Sequence, residues 1–153
     1  MKPVALFAAL LSAALILPTA QAAAPVKTSK PATVAAVQQE KVVYHMNDAS
    51  IARIAMRNVD NHLSASPDAK IVVVTHGKGI DFLLNEAKDD KGAYAPQVAA
   101  LKEKGVEFRV CRNTLKGRNL DDNAVIMEAQ VVPSGVAEIG KLQAKEGFVY
   151  LKP

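Results

Sequence analysis

A single cysteine, no tryptophan and few aromatic residues of any kind set the first limits on this chain of 153 residues. With Cys111 alone, no disulfide can form within the chain, so packing must hold the fold together. No basic run interleaves with aromatic residues, and the net charge of +4 is mild, which argues against a nucleic-acid partner. Long apolar runs are also scarce. The one candidate, Val4–Leu17, is broken by Ser12 and is shorter than the roughly 20 residues a membrane-spanning helix needs. No stable membrane insertion is expected.

That run has the layout of an export signal. Lys2 supplies a positive start, Pro18 ends the apolar stretch, and Ala20-Gln21-Ala22 fits the small-x-small cleavage rule. Cleavage is expected after Ala22, leaving a net charge of +3 once Lys2 is gone. No twin-arginine pair and no cysteine near the cleavage point signal folded export or a lipid anchor. The expected compartment is extracytoplasmic, most simply a periplasm. Residues 23–40 are rich in Ala, Pro, Thr and Lys without period, as in a flexible lead-in. The folded domain is expected over residues 41–153, one domain by length.

Within it, strand and helix patterns alternate. Lys41–Met46 reads as a strand, and Asp48 as the cap of a helix with Ile51, Ile54, Ala55, Val59 and Leu63 on its inner face. Ile71–Thr75 is apolar on both faces, as a buried parallel strand is. A short helix carrying Ile80, Phe82 and Leu83, a polar loop over Asn85–Gly92 and a helix over Ala93–Lys104 follow. Val106–Cys111 reads as the third strand, Asn113–Asn119 as a short helical segment and Asp121–Glu128 as another helix. Gln130–Val132, a helix carrying Val136, Ile139 and Leu142, and Phe148–Leu151 complete the pattern. Five strands alternating with helices predict an α/β domain with a mainly parallel sheet.

In such folds, ligand-facing groups sit at the carboxyl ends of strands. Three reactive side chains fall there: His45, His76 and Cys111. Strand alternation puts Val106, Phe108 and Val110 on one face and Glu107, Arg109 and Cys111 on the other. Arg109 and Arg112 flank the thiol, and Asn113 or Thr114 can cap the next turn, whose free N–H groups favour a thiolate. Positive neighbours and a helix start both lower a thiol pKa. The competing reading of Cys111 is a small buried hydrophobe at a strand end. His76-Gly77-Lys78-Gly79 permits a tight turn whose amides can hold an anion, but it is neither G-x-G-x-x-G nor a P-loop, and no cofactor is expected. His45, His76 and Cys111 together can make a Cys-His site or a three-ligand metal site, although their spacing matches no known metal motif. Asn58 and His62 adjoin on one helix, and Val132-Pro133-Ser134-Gly135 ends a strand and caps a helix.

These segments resemble the DsrE/DsrF-like family, in its small exported branch. The matching pieces are Val42-Val43-Tyr44-His45 with Asn47-Asp48; Asn58-Val59-Asp60-Asn61-His62-Leu63; Val74-Thr75-His76-Gly77 through Leu84; Gly105 to Leu115 around Cys111; and Val132 to Ile139, then Leu142-Gln143 and Gly147 to Pro153. The resemblance implies a three-layer α/β/α fold of flavodoxin-like architecture with a five-stranded, mainly parallel sheet, and a homo-oligomer. It implies that Cys111 accepts sulfane sulfur as a persulfide; the charge reading adds Arg109 and Arg112 as favouring the thiolate. Small sulfur compounds, or donor and acceptor proteins, are then the expected partners. Two alternatives stand beside it: an oligomeric module binding a small anion or ligand through His45, His76, Gly77 and Asn113, and the Cys-His metal site.

Overall fold

The computed structural model describes residues 39–153. The expected signal, residues 1–22, and nearly all of the lead-in lie outside the described residues. The elements are β1 (Lys41–Met46), α1 (Ala52–Ala65), β2 (Lys70–Thr75), β3 (Lys88–Asp89), β4 (Gly92–Ala93), α2 (Ala95–Glu103), β5 (Glu107–Cys111), α3 (Arg112–Gly117), β6 (Ala129–Val132), α4 (Gly135–Glu146) and β7 (Val149–Leu151). A 3-10 turn, Gly77–Leu83, follows β2.

Five strands form one sheet in the order β6-β5-β2-β1-β7, and every neighbouring pair is parallel. The order follows from burial. Strands with apolar residues on both faces, Val42–Tyr44 and Ile71–Val74, occupy the middle. The exposed β7 and the half-exposed β6 take the edges.

Topology then places the helices. From β1 through β2 and β5 to β6 the chain steps across the sheet in one direction. Right-handed crossovers put α1, α2 and α3 on one face. There Ala55, Met56, Val59, Val98, Leu101 and Leu115 pack on Tyr44, Val73 and Phe108. From β6 the chain returns to the far side of β1, so α4 lies on the opposite face. Ile139 and Leu142 there pack on Val43, Val72, Val74 and Phe148. The result is the expected α/β/α sandwich. Strands β5 and β6 are neighbours whose outgoing chains turn to opposite faces. This reversal opens a crevice at their carboxyl ends, the usual place for a ligand in an open α/β sheet.

Several local expectations are corrected. Asp48 caps a 3-10 turn, Ala49–Ile51, accepting from the Ser50 N–H at 2.9 Å, and α1 begins only at Ala52. The buried stripe of α1 is Ala52, Ala55, Met56 and Val59; Ile54 is 49 % exposed. The segment Asp121–Glu128 is not a helix beyond one 3-10 turn, Asp122–Ala124. Instead Val125 bridges to Leu84 and the Ile126 N–H donates to the Leu83 carbonyl at 3.0 Å, which draws the chain across the 3-10 turn after β2. The expected loop after Leu84 contains the β3–β4 hairpin. Arg53 of α1 anchors it, bonding both carboxylate oxygens of Asp89 and the Gly92 carbonyl and lying over the Tyr94 ring.

Close approach explains Gly79: a Cβ there would collide with the Met46 carbonyl. Gly140, by contrast, is an exposed glycine within α4 with open space where a Cβ would stand. Gly79→Ala is expected to lower the unfolding free energy by about 3 kcal/mol through overpacking. Gly140→Ala is expected to raise it by up to about 1 kcal/mol through helix propensity. Urea unfolding of the two variants checks both signs.

Candidate functional site

Cys111 is the last residue of β5 and the cap position of α3. It lies opposite Val132 of β6, so it stands in the crevice where the two chains part. Its side chain is on the α4 face and is buried, 5 % exposed. Burial alone raises the pKa of a thiol. Hydrogen-bond donors outweigh it: the N–H of Gly135 first, then the Thr114 hydroxyl and the N–H groups of Thr114 and Asn113. The net effect holds the Cys111 pKa below its ordinary value.

These donors come from the starts of two helices. Asn113 and Thr114 belong to the first turn of α3, and Gly135 opens α4 from the other face. Ser134 caps α4, its hydroxyl accepting from the Ala137 N–H at 3.4 Å. Gly135 has little room for a side chain. A Cβ there would stand 3.1 Å from the Cys111 Cβ, 3.1 Å from the Thr75 carbonyl and 3.3 Å from the His76 Cβ. The Thr114 hydroxyl in turn accepts from the Gly77 N–H at 3.0 Å, which ties the turn after β2 to the thiol.

Neither arginine takes part. The guanidinium of Arg109 is turned to Glu107 and to Glu138 of α4, and its Nε is buried without a partner. Arg112 pairs with Asp122, its Nε at 3.1 Å and its NH2 group at 2.6 Å from the two carboxylate oxygens. The expected cationic support for the thiolate is thus replaced by backbone and hydroxyl donors.

His45 and His76 meet on the same face. Their Nε2 atoms are 2.6 Å apart, and His45 Nδ1 is 2.6 Å from the Tyr150 hydroxyl of β7. Burial first, then the charges of His76 and Lys152, hold His45 below the ordinary imidazole pKa. Gly77 and Gly79 do not offer free amides to an anion: the first donates to Thr114 and the second to the His76 carbonyl at 3.0 Å. Among the described residues no three His, Cys, Asp or Glu side chains converge as a metal site requires. His62, paired with the Tyr44 hydroxyl and Glu40, stands apart and ties α1 to the start of β1.

Sequence reasoning named Asn113 and Thr114 as caps of the turn whose N–H groups favour the thiolate, but passed over the Thr114 hydroxyl, Gly135 and Tyr150. Thr114 carried a signal, its place in the turn after a strand-end cysteine. The Gly135 contact depends on which face α4 takes, and Tyr150 on the pairing of β7 with β1.

A sequence model of the DsrE/DsrF-like family matches residues 24–153. Among solved structures, the chain resembles MTH1491, a protein of unknown function from Methanobacterium thermoautotrophicum. The two are 29 % identical with a TM-score of 0.68, over 75 % of this chain and all of that one. It also resembles the ychN protein from E. coli in fold, with 12 % identity and a TM-score of 0.61, over 76 % of this chain and all of that one. No curated protein matches the chain.

The donor set yields a measurable consequence. Iodoacetamide alkylation of Cys111 is expected to rise with pH through a midpoint below that of an unperturbed thiol. Thr114→Val removes one donor to sulfur and leaves the Gly77 N–H unpaired. It should move the midpoint upward and cost about 1–2 kcal/mol of stability. Arg112→Met should leave the midpoint in place.

Proposed function

The chain belongs to the DsrE/DsrF-like family, and on that premise we propose that it binds and hands on sulfane sulfur as a persulfide on Cys111. The observation that carries this reading is the convergence of the Gly135, Thr114 and Asn113 donors on the Cys111 sulfur at the crevice between β5 and β6. A thiol so held forms the nucleophilic thiolate more readily than an ordinary one. The thiolate attacks the terminal sulfur of a donor, a new S–S bond forms, and the donor's own bond to that sulfur breaks with its electron pair leaving on the donor remainder. The same donors then face the charged persulfide. Small sulfur compounds, or proteins carrying persulfides, fit as donors and acceptors.

The setting in this reading is extracytoplasmic, following the export signal read in residues 1–22, and the protein is a homo-oligomer. Val149 and Leu151, 64 % and 39 % exposed on the edge strand β7, support association through that edge.

Incubation of the purified mature protein with inorganic polysulfide, read by intact mass, tests the central step. Wild type should gain one sulfur that a reductant removes, and Cys111→Ser should gain none. Equal gain on both proteins, or none on wild type, removes the reading.

A further inference from the structure

The row Tyr150–His45–His76 ends beside Cys111, because the Cβ atoms of His76 and Cys111 both lie within 3.3 Å of one point above Gly135. The ring centroids of His45 and His76 are 4.7 Å apart and their planes 29° from parallel, while the Nε2 atoms are 2.6 Å apart. The centroid separation exceeds the nitrogen separation by about two ring radii. The rings therefore meet head to head, and the contact is an N–H···N bond that holds one proton between two nitrogens.

That bond fixes two arrangements of the row. In one, His76 Nε2–H donates to His45 Nε2 and His45 Nδ1–H donates to the Tyr150 oxygen; His76 Nδ1 is then an acceptor. In the other, the Tyr150 O–H donates to His45 Nδ1 and His45 Nε2–H donates to His76 Nε2; His76 Nδ1 then carries the proton. The same atom thus takes or gives a proton according to where the shared proton lies. The titratable groups facing the row are Tyr150 and Lys152 at the end of β7 and Cys111 across Gly135. Asp48 and Lys78, in the loops after β1 and β2, attract each other. The start of α4 brings Ser134 and Gly135, which carry no charge.

We propose that His76, positioned by His45 and Tyr150, is the acid–base group for sulfur transfer to Cys111 from a hydropersulfide, R–S–S–H. This rests on the persulfide reading of Cys111. The Cys111 thiolate attacks the terminal sulfur and a new S–S bond forms. The R–S to sulfur bond breaks, and its electron pair leaves on R–S. His76 Nδ1 takes the proton of the transferred sulfur and gives it to the departing R–S. The products are the Cys111 persulfide anion and R–S–H, and no electron enters or leaves. While His76 holds the extra proton, the shared proton moves toward His45 and spreads the charge over both rings. Protonation makes the departing R–S a better leaving group than the free thiolate, the more so the higher its thiol pKa. Inorganic polysulfide needs no such help, because its departing fragment is already a stable anion.

The test compares the two donors. Sulfur gain on Cys111 is timed by intact mass with glutathione persulfide and with inorganic polysulfide, from about pH 5 to pH 9, across the range where imidazoles titrate. In His76→Gln the glutathione persulfide rate should fall about a hundred-fold and change its pH profile, a far larger loss than that of the polysulfide rate. His45→Gln should shift that profile with a smaller loss of rate. Unchanged rates with both donors in His76→Gln, or equal losses with both, overturn the proposal and leave the Cys111 reading standing. No sulfur gain on wild type from either donor overturns both.

Discussion

The site depends on two helices beginning at one sulfur from opposite faces of the sheet. A buried thiolate is costly unless donors replace water around it. Here the first turn of α3 supplies Asn113 and Thr114 from one side, and the first residue of α4 supplies Gly135 from the other. Such an arrangement needs adjacent parallel strands whose outgoing chains diverge, and β5 and β6 are that pair. The long return from β6 to β7 is what puts α4 on its own face. The sheet order and the chemistry of Cys111 are therefore one constraint seen at two scales.

Gly135 shows how tight that constraint is. Its missing side chain lets α4 start against the Cys111 Cβ, the Thr75 carbonyl and the His76 Cβ at once. A Cβ there would press on all three neighbours by a few tenths of an ångström. Arg109 has a different part. Held between Glu107 and Glu138, it ties β5 to α4 deeper in the same face, so it steadies the helix whose N–H reaches the thiol. Thr114 joins the two halves of the site: its hydroxyl accepts from the Gly77 N–H and is among the groups that lower the Cys111 pKa.

Much of this was legible in the sequence. The β-branched run Ile71–Thr75 announced a central strand, and strand alternation put Cys111 opposite the Phe108 face. Both followed from local pattern. What was not legible depended on contacts distant in the chain. The arginines beside Cys111 read as its counter-charges because sequence shows proximity and not direction. Their carboxylate partners, Glu138 and Asp122, are 29 and 10 residues away. The apolar pair Val125 and Ile126 read as part of a helix, but bonds to Leu83 and Leu84 hold them. His45 and Tyr150 are separated by 105 residues and meet only because β7 pairs with β1.

The most direct test of the account is a crystal structure of the protein after polysulfide treatment. The account predicts one added sulfur on Cys111 Sγ, in the crevice between β5 and β6, within hydrogen-bond distance of the Gly135 and Thr114 N–H groups. A bare Cys111 sealed under α4, with added sulfur absent or bound elsewhere, would contradict it.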